Sequence, residues 1–451
     1  MLDAVASAGD LERVVIRKLT YRLFPFMIIL TMVNFLDRVN IGYAALTMNR
    51  DLGITPAVFG LAAGVFFIGY VLCEIPSNIL LHKVGANRWL CRIMVTWGIV
   101  SAGMAFVDGA RGLYAMRLLL GIAEAGFIPG ITLYILLWVP LRQRARLTGL
   151  WILATPFAGI LGGPLSGLLL QLDGVWGLHG WQWLFVAEGL PAVVLGIVTY
   201  FYLTPTPAKA RWLTAAERTW LVERLRADGE TSRSAPQGGH SLRQALLNWR
   251  VLVIGLLYIG MNMGLSGINN WLPTIVKTFG SLNNLEATSL TAVPWACAAV
   301  AAVLWGRRSD RRNERYVSLA IPLIIGAAGF AASAYTTSPI LGIVSLSVAT
   351  MGIIAGYAVF WVIPGTFLSG VAAAGGIALI NSMGNLGGFF APFTIGWIKQ
   401  ETGSFTNALL VLAAGMAAAG IIALLIRPAK HAVPASITTE TVAAGASARV
   451  A

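Results

Sequence analysis

The chain has 451 residues, of which 57% are hydrophobic and only 11% charged, and its formal net charge is +13. That balance excludes an ordinary soluble domain of this length and leaves room for many membrane spans of about 20 apolar residues each. The positive excess does not point to nucleic acid, because the basic residues sit in short connectors between apolar runs rather than along one face.

The first apolar run is long enough to span, carries charges in its middle and lacks a small-residue cleavage site. It therefore reads as a retained helix rather than a signal peptide. Predicted spans fall near 21–45, 58–80, 92–108, 112–138, 149–172 and 184–204, a first half covering 21–204 behind an N-terminal segment, 1–20. A polar connector follows over 205–250. Within it Leu213, Trp220, Leu221 and Leu225 alternate with Glu217, Arg218, Glu223 and Arg224, the pattern of a short amphipathic helix, with Thr214 and Glu217 spaced as a capping box. Thr231 to His240 reads as a flexible linker. Six more spans are predicted near 251–276, 287–305, 316–336, 340–366, 375–398 and 407–426, a second half over 251–427, before an Ala-, Ser- and Thr-rich tail, 428–451, expected to be disordered. The expected fold is an all-α membrane protein of twelve helices in two pseudo-symmetric six-helix bundles.

Basic residues concentrate in the N-terminal segment, the 2–3, 4–5 and 8–9 connectors, the central connector and the tail. The opposite side holds only Arg50, Arg111, Lys277 and Lys399. Positive charge stays inside, so both termini are expected in the cytoplasm, with the chain in the inner (plasma) membrane. Cys73, Cys91 and Cys297 form no paired motif, and His82, His179, His240 and His431 fall in connectors or the tail, so neither disulfide nor metal site is expected. No Gly-rich phosphate loop followed by Lys is present, so ATP-driven transport has no support.

Charges inside spans carry the functional signal. Asp37 and Arg38 lie mid-way along the first span, and Arg117 and Glu124 lie in the fourth. A charge at mid-bilayer costs about 2.5–3.5 kcal/mol on insertion scales, so such groups mark solute and proton pathways. Arg38 suits a carboxylate because its planar fork binds bidentately and keeps its charge. Asp37 and Glu124 are the candidate proton carriers, and Arg117 a supporting ion pair. The alternative is that Asp37 and Arg38 neutralise each other and only stabilise packing. Tyr70 and Glu74 share a face of span 2, where Tyr70 can donate to solute and Glu74 can pair with the basic turns. Glu188, read as starting span 6, suits a helix N-terminus. The second half has no acid inside its predicted spans. Tyr258, Asn262, Ser266, Asn269 and Asn270 make a polar stripe, Tyr357 and Trp361 share one face, and Asn381 and Asn385 another. Asn270, Asn381, Tyr357 and Trp361 are expected to line the solute cavity, and Gly384, Gly387 and Gly388 to allow close packing.

Several stretches together carry a family resemblance: Asn34–Ile41 (NFLDRVNI), Glu74–Asn78 (EIPSN), Arg117–Pro129 (RLLLGIAEAGFIP), Asn270–Pro273 (NWLP), Trp305–Arg315 and Gly376–Gly388 (GIALINSMGNLGG). From Arg17 to Arg427 the chain resembles the major facilitator superfamily and, within it, the anion:cation symporter group, whose members carry tartrate, aldonic and sugar acids, phthalate and 4-hydroxyphenylacetate. The basic 2–3 connector has His82 where the superfamily usually has Asp, while the 8–9 connector keeps Asp310. Gly159–Gly167 only partly matches the antiporter glycine motif, and Thr155-Pro156 stands where aldonate members place a Gln. The resemblance implies proton-coupling roles for Asp37 and Glu124. In the basic connectors Asp310, Arg311 and Arg88 are expected to latch a cytoplasmic gate.

The expected function is a secondary active transporter, not an enzyme. It would import a small organic anion (a hydroxy, sugar or aromatic acid) by proton symport with alternating access, as a monomer in the lipid bilayer. No cofactor is expected; the proton gradient supplies the energy. An exchanger or efflux antiporter of the same fold is the alternative, and a membrane-embedded enzyme or a binding-only relative the more distant ones.

Overall fold

The computed structural model describes residues 8–234, 248–312, 314–366 and 370–427, and the described residues contain no β-strand. The helices are α1 (Ala8–Asp51), α2 (Pro56–Val84), α3 (Ala86–Gly103), α4 (Ala110–Glu124), α5 (Phe127–Trp138), α6 (Leu141–Ile152), α7 (Ala154–Leu170), α8 (Gly180–Tyr202), α9 (Ala215–Ser234), α10 (Trp249–Lys277), α11 (Asn284–Leu290), α12 (Ala292–Arg312), α13 (Arg315–Tyr335), α14 (Pro339–Phe360), α15 (Gly370–Thr402) and α16 (Thr406–Leu425). Long apolar runs become helices because hydrocarbon offers no partner for backbone N–H and C=O groups. Their ends follow local chemistry. At the start of α2, Thr55 accepts from the Val58 N–H, with Pro56 as the first helical residue.

Eleven stretches are long and apolar enough to span, and Gly370–Thr402 supplies a further long helix at the predicted 375–398. Three of the stretches are broken helices: α4–α5 at Ala125–Gly126, α6–α7 at Leu153 and α11–α12 at Thr291. Residues 8–20, expected as a separate segment, continue α1, because Val15 and Leu19 are fully buried and extend its apolar face. The basic 8–9 connector is also helical as far as Arg312, where Arg311 and Arg312 complement the helix C-terminus. Thr231–Ser234, expected as linker, belong to α9; 235–247 and the tail 428–451 lie outside the described residues.

The two halves meet along three seams: α1 with α10, α2 with α15, and α7 with α11 and α12. The α1–α10 and α7 contacts lie toward the end opposite the termini, called the far end below, whereas the α2–α15 seam runs from Gly60 and Gly396 at the far end to Glu74 and Asn381 beyond mid-depth; the termini end is the basic end. Glycines set the closeness. A Cβ on Gly60 or Gly396 would come within 3.2 Å of the other's Cα, and one on Gly42 within 2.9 Å of the Asn269 carbonyl. Tyr43 Oη lies 3.1 Å from Thr291 Oγ1, the Ala57 N–H donates to Gln400 (3.3 Å), and Phe59 meets Trp271 edge-on at 4.9 Å.

The central connector fastens to the first half. Lys18 donates to both Glu217 oxygens (2.6 and 2.9 Å), Asp228 accepts from the Leu141 N–H (2.7 Å), and the Arg22 guanidinium sits 5.0 Å from the Tyr202 ring and 5.2 Å from the Trp212 ring. The predicted capping box forms, with Thr214 N–H donating to Glu217 (2.9 Å) and Glu217 N–H to Thr214 Oγ1 (3.3 Å). Burial pushes the Glu217 carboxyl up, but Lys18 and Thr214 outweigh it and hold the group below its usual range.

Candidate functional site

Asp37 and Arg38 are neighbours in sequence, so on a helix they point about 100° apart. Asp37 is fully buried and accepts from Ser101 Oγ of α3 and from Asn40 Nδ2 (3.2 Å), while its Oδ2 has no hydrogen-bond partner. Arg38 turns instead to α4, where its Nε donates to Glu124 Oε1. Glu124 has no exposed surface, and a quarter of the Arg38 side chain stays open. The guanidinium lies 5.0 Å from the Tyr70 ring and 5.5 Å from the Phe66 ring. Its field reaches Glu74 of the first half and Tyr258 of the second, so Arg38 lies on the side of the first half that faces the second. The mutually neutralising Asp37–Arg38 pair does not form.

Arg117 departs from expectation. It is 2% exposed, its Nε and Nη1 have no hydrogen-bond partner, and its guanidinium rests 4.9 Å from the Phe66 ring. No ion pair forms with Glu124, which lies about 10 Å further along the same helix and bonds to Arg38 through Oε1, leaving its Oε2 unpartnered. Arg117 acts on Asp37 and Glu124 through its field alone.

Glu124 closes α4 at a break that sequence reading treated as continuous helix. Gly126 adopts φ 93°, the left-handed region that a side chain would strain. Pro129 has no N–H for the carbonyl four residues back, and Ser77 Oγ takes that Ala125 carbonyl at 2.6 Å. Trp89 Nε1 donates to Ser77 Oγ (3.0 Å), and Arg92 reaches the Ala123 carbonyl (3.4 Å). The run Glu124-Ala125-Gly126-Phe127-Ile128-Pro129 contained the signal, a Gly three residues before a Pro. Broken helices at membrane depth typically occur at solute and ion sites.

In the second half, Tyr258 of α10 stacks on Phe360 at 4.6 Å and meets Trp361 at 5.2 Å and Tyr357 at 5.8 Å, both edge-on. Tyr357 donates to Asn262 Oδ1 at 2.5 Å. Gly384 faces the Tyr258 ring and Gly388 the Phe67 ring, so the expected close packing is present. Trp361 is the open member of the group, 39% exposed. Asn270 lies in the closed α1–α10 seam, donating to the Ser266 carbonyl (2.8 Å) with its own Oδ1 unpartnered.

Three further expectations are corrected. Glu74 pairs with no basic turn; it accepts from Asn381 Nδ2 (3.0 and 3.3 Å), because α2 and α15 pack side by side. Asp310 does not latch the halves together. It pairs with Arg315 at 2.7 Å across the turn from α12 to α13, while Arg88 and Arg311 are exposed, without an ion pair among the described residues. Glu188 is not at a helix start, since α8 begins at Gly180 and places it in the third turn, where it is buried and accepts from Ser166 (3.0 Å).

Residues 27–392 match the family model for the Major Facilitator Superfamily. The chain is 47% identical to a candidate tartrate transporter of Agrobacterium vitis over 96% of its own length and 95% of the relative's. It is 42% identical to a quinolone resistance transporter of Acinetobacter baumannii, over 89% and 92% of the two lengths. The xylose transporter XylE of E. coli, solved in a partially occluded inward-open conformation, superposes with a TM-score of 0.70 at 16% identity, covering 91% of this chain and all of that one. Low identity makes the last a likeness of fold alone. The chain belongs to the Major Facilitator Superfamily and is a multi-pass membrane transporter, not an enzyme.

Proposed function

We propose that the protein imports a small organic anion together with protons by alternating access, working as a monomer in the plasma membrane with its basic, termini-bearing end in the cytoplasm. The observation that carries the reading is the Arg38–Glu124 pair, a partly exposed arginine with an unpartnered Nη2, held by a fully buried acid at a broken helix. A solute carboxylate competes with Glu124 for Arg38. When it wins, Glu124 loses its cation and takes a proton in exchange, so anion and proton enter the site together. Asp37, held by Ser101 and Asn40 within the field of Arg117, is the second proton carrier. Tyr70 and Asn381 border the anion, Tyr357 and Trp361 contact the rest of the solute, and Asn270 comes into reach when its seam opens. Relatives named for tartrate transport support a carboxylate solute.

The test is uptake of radiolabelled tartrate and a panel of sugar and aromatic acids into proteoliposomes, with and without an inward pH gradient. Accumulation should follow the gradient; uptake indifferent to it leaves a uniporter or an exchanger. A second reading, efflux by antiport, is favoured by the relative named for quinolone resistance. It requires accumulation inside inverted vesicles that is driven by internal acid.

A further inference from the structure

Glu74 and Glu188 are the buried acids within spans that the proposed cycle leaves unused, and Glu188 is the one with an unpartnered oxygen. It is 4% exposed, Ser166 of α7 donates to its Oε1 at 3.0 Å, and its Oε2 has no hydrogen-bond partner. No Lys or Arg lies within ion-pair distance of it among the described residues. The helices packed on α8 bring it acids and neutral groups. α1 contributes Asp37 and Tyr43, both within its electrostatic reach, and α7 contributes Ser166. α3 carries Arg88, Cys91 and Arg92 in its first two turns, at the opposite end of that helix, and the short turn after α3 carries no titratable residue. A buried carboxylate inside a span with no cation to neutralise it is the arrangement of a proton relay rather than of a structural ion pair.

Its depth and its cover say where the proton enters. Glu188 lies about 12 Å in from the far end of α8, whereas Asp37 lies about 21 Å in from the far end of α1. On α7, Gly162, one turn before Ser166, packs on Leu36 and Tyr43 of α1, while Gly163 and Gly167, one turn apart on the adjoining face, meet the second half: a Cβ on either would collide with Thr288. Tyr43 bonds to Thr291 in the same seam. Glu188 therefore sits at the edge of the α7 face that the second half covers in this conformation, an edge that becomes wet when the far end opens.

We infer that Glu188 is the far-side entry station for the transported proton, taking it from water on Oε2 when the α7–α11 seam opens and passing it to the unpartnered Oδ2 of Asp37. The inference rests on the proposed proton coupling. The acid releases to Asp37 the same proton that it accepted, so no other reactant is required.

The experiment compares gradient-driven uptake with solute counterflow in proteoliposomes holding wild type, Glu188→Gln or Glu188→Asp. Counterflow needs no net proton entry. The ratio of gradient-driven uptake to counterflow should fall by about tenfold or more in Glu188→Gln and recover in part in Glu188→Asp. An unchanged ratio in Glu188→Gln overturns the inference, as does an equal loss of both activities with no recovery in Glu188→Asp, which marks a structural role. A wild type that itself ignores the gradient removes the proposed symport as well, so the two failures are distinguishable. Entry is tested separately. In a chain without Cys73, Cys91 and Cys297, Ser166→Cys should react with an impermeant maleimide only in vesicles of the orientation that protects a Cys placed at exposed Arg88. Reaction in the same orientation as Arg88→Cys contradicts far-side access.

Discussion

The first half buries Asp37, Arg117, Glu124 and Glu188 within its spans, while every buried polar residue described in the spans of the second half is neutral, Ser266, Asn270, Ser347 and Thr350 among them. The fold is duplicated and the chemistry is not. Removing one partner of a buried ion pair costs about 3–5 kcal/mol, whereas an interhelical hydrogen bond between neutral groups in a membrane averages about 0.6 kcal/mol. The half that carries the buried charges is thus the half where substitutions are costly. The other half presents an aromatic wall, Tyr258, Tyr357, Phe360 and Trp361, which can be retuned for a different solute at small cost.

That contrast can be broken most sharply at Arg38. Arg38→Ala leaves Glu124 buried without its cation, and uptake of labelled solute should fall to background, with about 3–5 kcal/mol lost from the folded state. Arg38→Lys should restore little, because a point charge cannot hold a carboxylate in a fork. Near-normal uptake by Arg38→Ala would place the anion site elsewhere. Next is Glu124→Gln, for which accumulation against a gradient should drop by about 100-fold or more relative to exchange; retained accumulation would transfer the coupling to another acid.

The seam comes third. Gly60→Leu drives a side chain into the Pro392 carbonyl and Gly396 backbone, and overpacking costs about 1–3 kcal/mol. Cross-linking between Cys at Ala57 and Gln400, efficient in an otherwise unchanged chain, should weaken in this variant. Tyr357→Phe, in the neutral half, removes one hydrogen bond to Asn262 worth about 1 kcal/mol, so KM should rise about fivefold with the pH profile unmoved. A displaced pH profile would end the division of labour between the halves. The smallest effect belongs to Glu217, outside the spans. Its carboxyl is held below the usual range, so Lys18 and Thr214 stabilise the fold above an unfolded pKa of about 4.3, and this is lost as pH falls through the lower folded value. Lys18 is 40% exposed, so the loss in Glu217→Gln should stay under about 1 kcal/mol. Melting in detergent at pH 7 and again at pH 3 checks it: the variant should differ at the first and converge with wild type at the second.

Hydropathy located the spans and the polar connector because backbone satisfaction in lipid leaves a long apolar run little choice but helix. It also exposed Asp37, Arg38, Arg117 and Glu124, since charges in such runs stand out. Partner choice was not legible. Adjacency in sequence left open a mutually neutralising Asp37–Arg38 pair, yet the 100° between them sends one to Ser101 and the other to Glu124. The α4–α5 break escaped because hydropathy is blind to a missing N–H at Pro129 and to a left-handed Gly126. Glu188 was read from a span boundary set four residues late, which turned a third-turn acid into a helix-start acid. Asp310 was expected to reach across the halves, but Arg315, five residues on, lies closer than any partner on the opposite half.

The proposed exchange of Glu124 for solute on Arg38 can be watched without transport. Purified protein in lightly buffered detergent solution, with a pH-sensitive dye, is mixed with a saturating carboxylate solute adjusted to the same pH. Proton uptake by the wild type on binding, abolished in Glu124→Gln while solute still binds by calorimetry, is the expected result. Binding with no proton uptake by the wild type, or uptake that survives Glu124→Gln unchanged, would contradict it.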